Sequence, residues 1–320
     1  MLNVEVYPDV AEALIRARLR AEAHMGTADE AGFPWGEETV TEILLAAAHP
    51  QFVSVVFNKH QEGRVGADWL WWWVDDSGEA FGALIQAKRL HADWTIDFKY
   101  RDGAQMALLR RSALALEVPD VYVLYLGARE FRMAMPVDSA DHYRVLRRHN
   151  AGVSYVPGWI VRSYTTYPGP VVETPRVISK SAPLEHLAFQ NSSPSSWARV
   201  NEAALQPPLR SLLTEPQMGA RLVARSLLDL VASRRAEQFR GATVDPPSSE
   251  PATHDLFGEL PADPGHDGEP FLGAILKGLR PELPAYVQQA LEGEPVELPV
   301  DAPSVVGMTV VRLRPDLNAQ

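Results

Sequence analysis

The sequence predicts an α/β fold with a mixed central β-sheet flanked by helices. Three observations carry this. The order helix, three strands, helix, strand runs between residues 37 and 127. A hairpin over residues 66–90 is apolar on both strand faces, as a covered central pair must be. The helices that bracket it repeat their apolar residues at a period of 3.6.

The elements follow in order. Pro8 and Asp9 start a helix over 8–25, with Val10, Ala13, Leu14, Ala17 and Leu19 as its partly apolar face. The loop GTADEAGFPWGEE feeds a second helix from about Glu37 to His49. FVSVVFN (52–58) is a strand, and GADWLWWWVDDSGEAFGALIQAKRL (66–90) is the hairpin. DGAQMALLRRSALAL is a helix, and DVYVLYLG a buried strand. Beyond residue 150 the pattern weakens. GWIVRSYTTY reads as another strand, and 198–239 as helices broken at Pro207-Pro208 and Pro216. Residues 241–270 are rich in Pro, Gly, Ser and acids, the composition of a mobile linker. A helix near 283–292 and a strand at 305–313 close the chain. The expected division is a core over 1–170, a helical extension over 171–240, the linker over 241–270 and a helix–strand segment over 271–320.

Composition excludes several classes. There are no cysteines, hence no disulfide, thiolate metal site or cysteine nucleophile. The apolar runs are too short to span a membrane, and the N-terminus lacks the order of a signal peptide, so the cytoplasm is the expected location. The nine histidines show no HxH or HExxH spacing, and there is no P-loop, GxGxxG or GxSxG. The net charge is −11, but residues 241–320 hold 13 Asp/Glu against 4 Lys/Arg. Residues 86–148 hold 11 Lys/Arg against 8 Asp/Glu, so the middle of the chain is suited to face a phosphate backbone.

The hairpin poses the chemical question. Asp68, Gln86 and Lys88 interrupt its apolar runs, where an unpartnered polar group is costly. A turn centred on Ser77 sets Asp68 opposite Gln86, Leu70 opposite Leu84 and Trp72 opposite Gly82. Directly opposed residues share a face, and Lys88, two residues on, shares it too. A slip of one residue would bring Ala87 opposite Asp68 and scatter the group. An acid, an amide oxygen and an ammonium so grouped suit a hard divalent cation. Mg²⁺ takes oxygen ligands and keeps several waters, so Asp68, Gln86 and the Ala87 carbonyl suffice. Lys88 would act on water or offset charge on a phosphoryl oxygen. An ion pair between Lys88 and Asp68 is the plain structural alternative. The tryptophans of DWLWWW read as core rather than as a stacking platform.

GAD on one strand and QAK on the next resemble the PD-(D/E)xK nuclease superfamily, in particular Mrr-type restriction enzymes and archaeal Holliday-junction resolvases, some of which carry Gln-x-Lys. The wider pattern EETVTEILL, GADWLWWW, QAKRL is similar to a family of uncharacterised bacterial proteins placed near those nucleases. The likeness covers roughly residues 35–130. It implies a restriction-endonuclease-like core, a Mg²⁺- or Mn²⁺-dependent nuclease acting on DNA, and a setting in bacterial defence or repair. A homodimer is one arrangement it allows, since many relatives cut duplexes as dimers.

The resemblance also implies a helical glutamate at the site. On the second helix Glu37 lies about 60° from Val40 and borders the apolar stripe of Val40, Ile43, Leu44 and Ala47, whereas Glu38 and Glu42 fall near its opposite side. Glu37 is therefore the first choice and Glu38 the second. Both also suit the positive end of a helix without any further role. Glu62 precedes GAD by six residues and reads as a solvated loop acid. Gln86 departs from the usual Asp or Glu and removes one negative charge. The alternative is thus a catalytically weak nuclease fold that binds nucleic acid or protein.

Overall fold

The computed structural model describes residues 4–5, 7–56, 68–135, 144–164, 173–190, 207–214, 217–242, 271–294, 296 and 305–314. Strand β1 (Val4–Glu5) precedes helices α1 (Pro8–Glu30) and α2 (Glu37–Ala48). Strands β2 (Phe52–Val56), β3 (Asp68–Asp75) and β4 (Ala80–Arg89) lead to α3 (Ala104–Ala115) and β5 (Asp120–Tyr125). Then come α4 (Arg129–Met133), β6 (Val153–Pro157), α5 (Gly158–Ser163), α6 (Thr174–Ser179), β7 (Ala182–Pro183) and β8 (Phe189–Gln190). The chain closes with α7 (Pro207–Thr214), α8 (Gly219–Ala242), a helix Phe271–Gly278, β9 (Leu279–Arg280), a helix Ala285–Glu292 and β10 (Val305–Leu313).

Seven strands form one mixed sheet in the order β2-β10-β3-β4-β5-β6-β7, and β9 pairs with the start of β4. The hairpin has the expected register, with Asp68 opposite Gln86, Leu70 opposite Leu84 and Trp72 opposite Gly82. Its turn is built by side chains. The Asp75 carboxylate accepts from the Ser77 amide (3.0 Å) and hydroxyl (2.5 Å), and Gly78 takes a left-handed φ of 87°.

Both sheet faces are covered. On one, Val223 and Leu227 of α8 meet Trp71, Trp73, Ile85 and Val123. On the other, α3 packs on β4 and β5, Phe98 meets Tyr122 edge-on, and Trp72 meets Tyr286. Trp72 needs a glycine opposite: a Cβ on Gly82 would lie 2.7 Å from its ring. Trp71, Trp72 and Trp73 are core, as their alternation suggested, while Trp69 is half-buried and packs against it.

Three expectations change. GWIVRSYTTY is not a strand: β6 ends at Pro157, which cannot donate to a ladder, and Gly158–Ser163 turn into α5, burying Ile160 and Val161. On α2 the buried stripe is rotated toward Thr41, Leu45 and Ala48, leaving Ile43 and Ala47 half-buried. The division at residue 170 does not describe the sheet, because β10 lies between β2 and β3, antiparallel to one and parallel to the other. Of the expected linker over 241–270, Gly241 and Ala242 belong to the end of α8, and the rest, like Glu62, lies outside the described residues.

Candidate active site

The site lies at the end of β4. The described part of β3 starts at Asp68, opposite Gln86, so Ala87, Lys88 and Arg89 extend beyond it. The Leu84 amide donates to Pro119 and the Leu90 amide to Tyr125. The even-numbered peptide groups of β4 therefore face β5, and those of residues 87 and 89 face the β3 side. A backbone amide there needs an acceptor. Glu37 supplies it: one of its carboxylate oxygens, Oε1, accepts from the Arg89 amide at 2.9 Å.

Helix α2 is fixed to do this. The Thr41 hydroxyl donates to the Glu37 carbonyl (2.8 Å) and lies 2.7 Å from the Tyr125 hydroxyl. Arg89 ties down the preceding loop, donating to the Trp35 carbonyl at 2.5 Å with its guanidinium over the Trp35 ring. Burial pushes the Glu37 carboxyl above its ordinary value, opposed by the charge of Lys88 and the Arg89 amide.

Gln86 and Lys88 project from the other face, at 2 % and 5 % exposure. Lys88 Nζ donates to Gln105 Oε1 of α3 at 2.5 Å. Gln105 is thus a partner for the buried ammonium among the described side chains. Asp68 itself is placed by its backbone, opposite Gln86 on one side and Val305 on the other.

A single cleft of about 1390 Å³ gathers Glu37, Glu38, Gln86, Ala87 and Lys88, five of the six residues singled out from the sequence. Asp68 stands at the register position that borders it. Glu38 and Glu42 also line the cleft, although periodicity set them away from the buried stripe. The cleft runs along the exposed flank of α2, so solvent-facing acids reach it. Among the described residues no three His, Asp or Glu side chains are gathered closely enough to hold a metal by themselves.

The sequence reading missed Gln105, Arg89 and His91, all on the cleft. Gln105 had a signal: with the small Ser112 it is a polar residue on an α3 face that also buries Met106, Leu109 and Ala113. His91 had none. Burial and the Arg89 charge hold its imidazole below the ordinary value.

Among the described residues no helix is long and apolar enough to cross a membrane. No curated protein and no solved structure matches the chain. A family model matches residues 10–315, and the chain therefore belongs to DUF6615, a family of unknown function.

Proposed function

We propose that the chain is a divalent-cation-dependent phosphodiesterase of PD-(D/E)xK type that cuts DNA. One observation carries the reading: Glu37, Gln86, Ala87 and Lys88 share one cleft at the end of β4, with Asp68 registered opposite Gln86. The donors are all oxygens, which suits Mg²⁺ or Mn²⁺ rather than a thiophilic metal. Glu37, Asp68, Gln86 and the Ala87 carbonyl would hold the ion. When bound, it supplies Lewis-acid polarisation of a phosphoryl oxygen.

The chain's own groups do the rest. Lys88, aimed by Gln105, offsets the charge that grows on the phosphoryl group. Glu37 links α2 to the end of β4 and fixes the distance between the two walls. Bacterial defence or repair is the setting that the resemblance brings. A homodimer would let two such clefts act on both strands of a duplex.

A second reading is favoured by the neutral Gln86 and by the lack of a three-ligand cluster among the described residues. In it the fold binds nucleic acid or protein without turnover. The test is cleavage of plasmid, linear duplex and single-stranded DNA with Mg²⁺ or Mn²⁺. Asp68→Ala should abolish cutting. Lys88→Ala should suppress turnover while leaving metal and DNA binding near wild type, because its role falls in the transition state. Gln86→Glu should tighten Mg²⁺ binding and keep activity equal or higher. If the wild type cuts nothing, or Lys88→Ala cuts equally well, the binding reading replaces the enzyme.

A further inference from the structure

Phe33 and Tyr100 are the exposed large aromatics of the described residues, at 70 % and 41 %. Tyr100 lines the cleft, and Phe33 directly precedes Pro34, Trp35 and Gly36, which line it too. Neither is a loose side chain on a loose loop. Helix α1 ends with Gly32 in the left-handed region (φ 70°), its amide on Asp29, while the Phe33 amide reaches back to the Ala28 carbonyl at 2.9 Å. That is a six-to-one terminal bond of the Schellman type, which fixes where Phe33 leaves the helix. Tyr100 sits before three successive left-handed residues, Arg101, Asp102 and Gly103, closed by the Gly103 amide on the Lys99 carbonyl at 3.0 Å. The Arg101 guanidinium lies 5.5 Å from the Tyr100 ring centroid.

From this placement we infer that the cleft takes an unpaired nucleic-acid strand, with bases stacking on Phe33 and Tyr100. The inference rests on the phosphodiesterase reading of the same cleft. Aromatic side chains held out to solvent, one of them with a cation over its ring, are the chemistry of single-strand grooves. A continuous duplex hides its base faces and has no use for them. The lining charges sharpen the point. Glu37, Glu38, Glu42 and Asp97 outnumber Lys88 and Arg89, so a phosphate chain should enter only with divalent cations present.

The probe is a fluorescein-labelled oligonucleotide read by anisotropy, as single-stranded DNA, single-stranded RNA and blunt duplex DNA. Ca²⁺ replaces Mg²⁺ so that binding is read without turnover. Phe33→Ala and Tyr100→Ala should each weaken single-strand binding roughly 5- to 150-fold and leave duplex binding unchanged. Loss on either DNA or RNA supports the site, as does loss of binding in EDTA. Leu114→Ala, another exposed apolar residue, is the control and should change nothing. The inference is overturned if the wild type prefers the duplex, or if the two variants keep their single-strand affinity. Cleavage with Mg²⁺ separates the two claims. Single-strand cutting that survives both substitutions undiminished sinks the single-strand inference and leaves the phosphodiesterase. Single-strand binding that depends on Phe33 and Tyr100 without any cutting does the reverse.

Discussion

Replacing Gln105 with leucine removes the acceptor that holds Lys88 and changes little else at that position. Gln105 is buried on the face of α3 that packs against the sheet, and leucine is close to it in volume, so no cavity term arises. What is lost is a 2.5 Å hydrogen bond from an ammonium whose residue is only 5 % exposed. A bond to a charged group is worth about 1.5–3 kcal/mol, and burial leaves the ammonium little water to replace it. The expected loss is therefore about 2–3 kcal/mol, roughly 30- to 150-fold in the unfolding equilibrium. Urea denaturation followed by tryptophan fluorescence measures it. Gln105→Glu keeps an acceptor and should stay within about 1 kcal/mol of wild type. A leucine variant within about 0.5 kcal/mol of wild type would show that Gln105 does not hold Lys88, and the account of how that ammonium is aimed would fail.

Two further outcomes follow from the same geometry. Burial raises the Glu37 carboxyl above its ordinary value of 4.5, so the fold favours the protonated form. The stability this confers is fully present below pH 4.5 and is lost as pH rises through the folded value. In EDTA, thermal melts should therefore show wild type losing ground to Glu37→Gln over that window; a constant gap between the two would contradict it. With Mg²⁺ the order should reverse, and Glu37→Gln should weaken cation binding more than Glu38→Gln does. The second outcome concerns glycines. Gly82→Ala presses a methyl group 2.7 Å from the Trp72 ring and should cost about 1–3 kcal/mol. Gly273→Ala, in a helix with nothing within 4 Å, should gain up to about 1 kcal/mol. Equal effects in thermal melts would mean that the Trp72 contact is not the reason for Gly82.

The parts of this fold that local chemistry dictates were legible. The hairpin register follows from its turn, because Asp75, Ser77 and Gly78 admit one loop length and the even pairing keeps apolar residues together. The resemblance supplied the idea of a helical glutamate and periodicity ranked Glu37 first, yet Glu38 and Glu42, set aside by that ranking, line the cleft as well. What failed depends on distant partners. Thr41 was no part of the expected stripe, and it is buried because Tyr125, 84 residues away, shares its hydroxyl. The run after Pro157 looked like a strand because Trp159, Ile160 and Val161 are β formers, but proline had already closed the ladder. Gln105 was visible only as an anomaly, since nothing local says which ammonium it meets.

The C-terminal strand shows why a reading confined to residues 35–130 was incomplete. Asp68 has two strand neighbours, and one of them is Val305, from the far end of the chain. The pairing is irregular at that point: Val305 aligns with Asp68 and Gly307 with Trp69, leaving Val306 as an extra residue that lines the cleft. A bulge of this kind bends its strand and re-aims what lies beside it. Gly307 is required by the same packing, because a Cβ there would lie 2.6 Å from the Trp69 ring. The end of β4, the bulge of β10 and Asp68 of β3 therefore meet at one place, each contributed by a different part of the sequence. Hairpin chemistry sets which residues of β4 face the cleft. The returning strand sets the backbone register beside Asp68, and that information lies more than two hundred residues downstream of the motif.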